Sequence, residues 1–135
     1  MTRIALIASL VLTAVLLTGC SSCPMCGESA AKDHTGHLRH VVVFKFTDDA
    51  TPEQVQAVVD HFGRLQDEIP EIIDYEWGVN NSPEGHDQSF THVFLVTFKD
   101  EAGREVYLPH PAHQKFVEHL KPILDKVFVV DYTVR

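Results

Sequence analysis

The chain has 135 residues, 44% hydrophobic and 22% charged, which suits one ordinary globular domain and excludes wholesale disorder or a collagen-like repeat. Its 11 basic and 19 acidic residues give a formal charge of −8, which argues against a nucleic-acid partner held by phosphate neutralisation. Three cysteines are too few for a disulfide scaffold.

Residues 1–19 read as a targeting segment. Arg3 supplies a positive start, Ile4 to Leu17 is almost wholly apolar, and the small residues Thr18 and Gly19 precede Cys20. The apolar run is shorter than a membrane-spanning helix needs, and small residues follow it as at a cleavage site. Leu17-Thr18-Gly19-Cys20 resembles the bacterial lipobox, where precursors are acylated on cysteine and cut before it. That resemblance implies a lipid bilayer partner through acylated Cys20 and a place in the bacterial cell envelope, on the extracytoplasmic side. Two or more acyl chains hold a protein stably, each buried methylene contributing about 0.8 kcal/mol.

Residues 20–37 read as a flexible tether, because Ser21, Ser22, Pro24, Gly27, Ser29 and Gly36 break any hydrophobic period. Within it, Cys23-Pro24-Met25-Cys26 and His34-Thr35-Gly36-His37 could together bind zinc or a soft copper ion. The alternative is an exposed cysteine pair, oxidised outside the cytoplasm.

Residues 38–135 read as the folded domain. His40 to Phe46 is a β-branched and aromatic run, a first strand. Thr51-Pro52-Glu53-Gln54 carries a capping box with proline at the first helical position. Val55, Val58, Val59, Phe62 and Leu65 then follow at helical spacing until Pro70 stops the helix. Ile72 to Val79 reads as the second strand, Asn80 to Gln88 as a loop, and Thr91 to Phe98 as the third strand. A weak helical stretch after Asp100, damaged by Gly103, leads to the corner Tyr107-Leu108-Pro109-His110-Pro111-Ala112-His113. Pro111 opens another helix, with Phe116, Leu120, Ile123 and Leu124 as its buried stripe, and Val127 to Val134 closes as a strand.

The order βαββαβ predicts an α+β, ferredoxin-like sandwich with both helices on one sheet face. Period two places His40, Val42, Phe44 and Phe46 of the first strand under the helices, with His92, Phe94, Val96 and Phe98 of the third beside them. On the expectation that these neighbouring strands run parallel, His40 and His92 reach one end of one pocket. The opposite face carries Val41, Val43, Val93 and Leu95, and two helices cannot cover both faces. A homodimer through the open sheet face is the expected partner.

These residues resemble the stress-responsive α/β-barrel, or Dabb, family. The matching stretches are His40 to Phe46, Ile69-Pro70, Trp77-Gly78, Thr91-His92-Val93, His110-Pro111-Ala112-His113 and Val130-Asp131-Tyr132-Thr133. The resemblance implies a dimeric α/β barrel. One family member, a plant polyketide cyclase, closes a ring by aldol chemistry without metal or organic cofactor. Carrying its site over implies Tyr107 and His113 as catalytic residues and His40 and His92 as pocket histidines. Phe62 stands where that cyclase has a tyrosine, and Gly103, Arg104 and Pro109 stand where an apolar helix is expected.

Cofactor-free aldol chemistry needs a base beside a carbonyl and a donor for the enolate oxygen. His113, in the first turn of its helix, is disfavoured from protonation by the helix dipole and suits the base. Tyr107 is near enough in sequence to be the donor. The competing expectation is a non-catalytic binder of a small apolar or carbonyl-bearing molecule, using His40, His92, Val42, Phe44, Phe62, Phe94, Val96 and Phe116. In a purely structural domain, Phe44, Phe62, Phe94 and Phe116 would fill that space instead. A metal site on His40, His92 and His113 ranks last, since no carboxylate accompanies them. Changing Cys20→Ser is expected to leave the precursor unprocessed. The check is gel mobility and membrane fractionation; mature, membrane-bound Cys20→Ser protein would overturn the lipidation reading.

Overall fold

The computed structural model describes residues 32–135, so the segment 1–19, Cys20, Cys23 and Cys26 lie outside it. In chain order the elements are β1 (Leu38–Phe46), α1 (Pro52–Glu68), β2 (Ile72–Val79), β3 (His92–Phe98), α2 (Glu101–Tyr107), α3 (Pro111–Leu120), a 3-10 turn (Lys121–Ile123) and β4 (Leu124–Thr133). Helix α1 begins where its capping box requires. Thr51 Oγ1 accepts from the Gln54 amide and the Gln54 side chain accepts from the Thr51 amide. Asp100 caps α2 by accepting from the Gly103 amide at 3.1 Å. Gly103 also lets α2 lie close to the sheet, since a Cβ there would come within 3.3 Å of Phe98 Cβ.

The four strands form one sheet in the order β2-β3-β1-β4, with every neighbouring pair antiparallel. This is the ferredoxin-like α+β fold. One expectation is corrected here. β3 returns from β2 as the second arm of a hairpin, so it runs antiparallel to β1, not parallel. In the resulting register His40 faces Val96 and His92 faces Phe44. The two histidines therefore stand four residues apart along the sheet, about 13 Å at strand rise, and do not share a pocket end.

The helix-facing side of the sheet holds the core. Phe44, Phe62, Phe94 and Val58 are almost wholly buried, with Leu65 and Ile69 closing the space beneath α1. Phe62 stacks on Phe94 at a centroid distance of 4.7 Å and meets Phe116 at 4.6 Å, so one ring ties α1 to both β3 and α3. The opposite sheet face is apolar and uncovered within the chain. Val93, Phe128, Val130 and Tyr132 are exposed there, with Val41, Val43 and Leu95 partly so.

The compact unit starts at Asp33, upstream of β1. Residues 34–37, read as tether, are hydrogen-bonded to the end of β4: the Gly36 amide donates to Val134 and the Val134 amide to His37. No helix among the described residues is long and apolar enough to cross a membrane.

Candidate functional site

Helix α1 seals only part of the sheet. Beyond it, β1 and β4 are roofed by the short helices α2 and α3, and a hollow of about 470 Å³ remains between them. That volume lies within the range of small-ligand pockets. Its walls are Val42, Phe44, Phe62 and Phe116 inside and Leu120, Leu124, Val127 and Val129 toward the β4 side. Val127 and Val129 are about half exposed, so the hollow opens along that edge. At its other end His40, Arg104, Tyr107, His113 and Asp131 come together. An apolar chamber thus ends in a polar cluster.

The corner between α2 and α3 builds most of the polar end. Pro111 at the first helical position sets the start of α3, and His110 caps it, its Nδ1 accepting from the Ala112 amide at 3.2 Å. His110 is therefore a capping residue. His113 follows one turn in, with Nδ1 at 2.9 Å from the Leu108 carbonyl at the end of α2. A carbonyl only accepts, so Nδ1 carries the proton and Nε2 keeps its lone pair. Burial lowers the His113 pKa, with further lowering from His40 and His110, against a raising contribution from the Leu108 hydrogen bond. The ring is held neutral near pH 7.

Tyr107 lies against His113 with ring centroids 4.3 Å apart and against His40 at 5.9 Å. Burial pushes its phenol well up, helped by neighbouring Tyr75, so it stays a protonated donor. His40 Nδ1 donates to Asp131 Oδ1 at 2.6 Å, and Arg104 donates to Asp131 Oδ2, also at 2.6 Å. Burial alone would raise the Asp131 pKa, but these two hydrogen bonds outweigh it and hold the carboxyl below its ordinary value. Asp131 thus fixes the His40 tautomer and braces β4 to β1 and α2.

The sequence-predicted residues divide cleanly. His40, Val42, Phe44, Phe62, Tyr107, His113 and Phe116 line the hollow. Phe94 and Val96 are fully buried under α1 instead. His92 sits at the far end of β3, stacked on Trp77 and edge-on to Phe46, and burial lowers its pKa there. Of the four phenylalanines that could plug the space, Phe94 does so; Phe44, Phe62 and Phe116 also wall the chamber. Sequence reasoning missed Asp131 and assigned no role to Arg104. Asp131 faces His40 directly across the β1–β4 ladder, a pairing visible only once the register is known. Tyr75 was missed too; its hydroxyl is buried without a hydrogen-bond partner beside Phe62.

For the tail motif, Cys23 and Cys26 lie outside the described residues. His34 and His37 meet edge to face with centroids 5.7 Å apart, and His34 Nε2 is 3.2 Å from Asp74. No group of three or more histidine, cysteine or acidic side chains among the described residues could hold a metal ion.

A ferredoxin-like α+β domain with a walled hollow at the α2–α3 corner is the class of protein that the structure defines. Residues 38–134 match the Stress responsive A/B Barrel Domain, Dabb, and the chain belongs to that family. It is 33% identical over 97 residues to the Arabidopsis thaliana stress-response A/B barrel domain-containing protein HS1, covering 72% of this chain and 89% of that protein. It is 30% identical over 98 residues to olivetolic acid cyclase from Cannabis sativa, covering 73% and 97%. Among solved structures, hydroxynitrile lyase from Passiflora edulis superposes with a TM-score of 0.70 at 25% identity, over 73% of this chain and 94% of the lyase. A dimeric ferredoxin-like protein of unknown function from Bacteroides fragilis gives 0.61 at 25% identity, over 75% and 99%.

Asp131 carries a stability prediction. A carboxyl with a depressed folded-state pKa stabilises above its unfolded value near 3.8, and that contribution is lost as pH falls through the folded value. Asp131→Asn should cost about 1–3 kcal/mol at neutral pH and lose less stability than the wild type below about pH 4. Urea denaturation at pH 7 and pH 3 checks both.

Proposed function

We propose that the domain binds a small molecule with an apolar body and a carbonyl-bearing head. The body would lie along Val42, Phe116, Leu120 and Val129, and the head against Tyr107 and His113. The observation that carries this reading is the shape of the hollow: apolar on every wall except the end where two imidazoles, a phenol and a braced carboxylate converge. The family relationship to a cyclase supports it, as does the structural likeness to a lyase.

A second reading, cofactor-free turnover of a keto substrate, is favoured by the His113 tautomer. With Nδ1–H held by Leu108, Nε2 is free to take a proton from carbon beside a carbonyl. The Leu108 carbonyl then stabilises the imidazolium, and the Tyr107 phenol donates to the enolate oxygen. Both readings predict that medium-chain methyl ketones bind the wild type in calorimetry and that Leu120→Trp, which fills the chamber, weakens them at least tenfold. In the catalytic reading His113→Gln should spare binding and abolish turnover of any keto metabolite that mass spectrometry finds co-purifying; in the binding reading it should weaken ketone binding as well. Equal binding by the wild type and Leu120→Trp would sink the pocket.

The chain would act as a homodimer, sheet against sheet, with the lipid on Cys20 tethering it to the envelope membrane. The uncovered face of Val41, Val43, Val93, Leu95, Phe128 and Val130 supports the pairing, since so large an apolar patch is unusual on a monomer. The dimeric Bacteroides protein points the same way. Sedimentation at micromolar concentration should give a dimer, and Leu95→Asp should give a monomer. A wild-type monomer under those conditions would refute the interface.

A further inference from the structure

Away from the pocket, on the outer layer of the molecule, α1 and α3 bring two further histidines together. His61 and His119 approach Nδ1 to Nδ1 at 3.1 Å, with ring centroids 5.3 Å apart and planes inclined by 39°. Both rings keep access to solvent, and neither belongs to the hollow. His61 is not a loose surface side chain: it stands edge-on against Phe116, centroids 5.6 Å apart, at the junction of the two helices. His119 lies in the last turn of α3.

From these observations we infer that His61 and His119 form a two-histidine site for a borderline divalent transition-metal ion of the copper, nickel or zinc type. Imidazole nitrogens bind such ions at about 2.0–2.1 Å. Two nitrogens 3.1 Å apart and each that far from a common ion subtend about 100° at the metal, between octahedral and tetrahedral angles. The rings now meet nearly head-on, as a hydrogen bond between one N–H and one lone pair. A small swing of each ring, with both protons on Nε2, turns the two lone pairs onto one ion, and water completes its coordination. Burial of His61, together with His119 and Arg64 nearby, disfavours its protonated form, which leaves it available as a ligand; Glu68 opposes this more weakly. By the usual affinity order copper(II) binds tightest and nickel(II) more weakly. Nickel(II) is the cleaner probe, because any free cysteine thiol would reduce copper(II).

Such an ion would clip α1 to α3, and so should raise the thermal midpoint of the folded domain, a rise that should depend on both His61 and His119. The test is nickel(II) titration calorimetry and thermal unfolding of the full chain, comparing the wild type with His61→Gln, His119→Gln and the double variant. His86→Gln, in the loop before β3, serves as the control. Each single change should weaken this site tenfold or more and remove the metal-dependent rise in Tm, and the double variant should take up one equivalent less than the wild type. His86→Gln should behave as the wild type. Unchanged stoichiometry and affinity in the double variant, or no rise in wild-type Tm, would overturn the inference. Circular dichroism without metal confirms that the variants are folded, so a loss of binding is read as loss of the ligands.

Discussion

The structure depends on where Phe62 goes. Its ring lies on Phe94 from the centre of the sheet and on Phe116 from the second helical layer, and it approaches Phe44 from β1. One long helix with a closed aromatic stack seals the β2–β3–β1 side of the sheet. The remaining cover comes from α2 and α3, of 7 and 10 residues. These are too short and too sharply joined to fill the space over β4 with side chains. The hollow follows from that unequal division of labour, not from any single small residue. Close packing on one side leaves room on the other.

Much of this was legible in the chain. The capping box at Thr51 and the proline at Pro111 fix both main helix starts through local hydrogen bonding and a preset φ, and neither depends on tertiary context. Alternation along β1 assigned His40, Val42, Phe44 and Phe46 to the buried face correctly, because the side-chain period of a strand is set by the backbone alone. Strand direction is a different kind of information. Nothing in His92-Val93-Phe94 says which way the strand runs beside β1; that is decided by the hairpin from β2. The histidine pairing expected of His40 and His92 therefore failed, although each was placed on the right face. Asp131 was illegible for the same reason, since its partner lies 91 residues away.

The α2–α3 corner shows how chemistry can be set by backbone geometry. Leu108 ends α2, and its carbonyl, which no further helical turn satisfies, accepts from both His113 and Gln114. A helix end normally leaves carbonyls in need of donors. Here that need decides which nitrogen of His113 holds the proton. The same short segment places His110 as the cap of the next helix, where Ser, Thr, Asp or Asn would be usual. The histidine-rich corner is thus partly architecture: one imidazole caps, the other is oriented, and only the second faces the chamber.

The polar end of the hollow is assembled from β1, α2, the α2–α3 corner and β4, and no two of its key residues are near neighbours in sequence except Arg104 and Tyr107. What holds them together is the β1–β4 register, which sets His40 opposite Asp131. A slip of one residue in that ladder would turn Asp131 to the other face and leave Arg104 and His40 without their shared carboxylate. Apolar pairs along these strands tolerate neighbouring registers poorly, because each slip also moves Val127 and Val129 out of the chamber wall. The bridge from His40 through Asp131 to Arg104 adds a directional reason for the same alignment, and buried polar networks are costly when half satisfied. Pocket geometry and strand pairing are therefore not separable here: the contact that orients the pocket's imidazole also selects the register that makes the pocket.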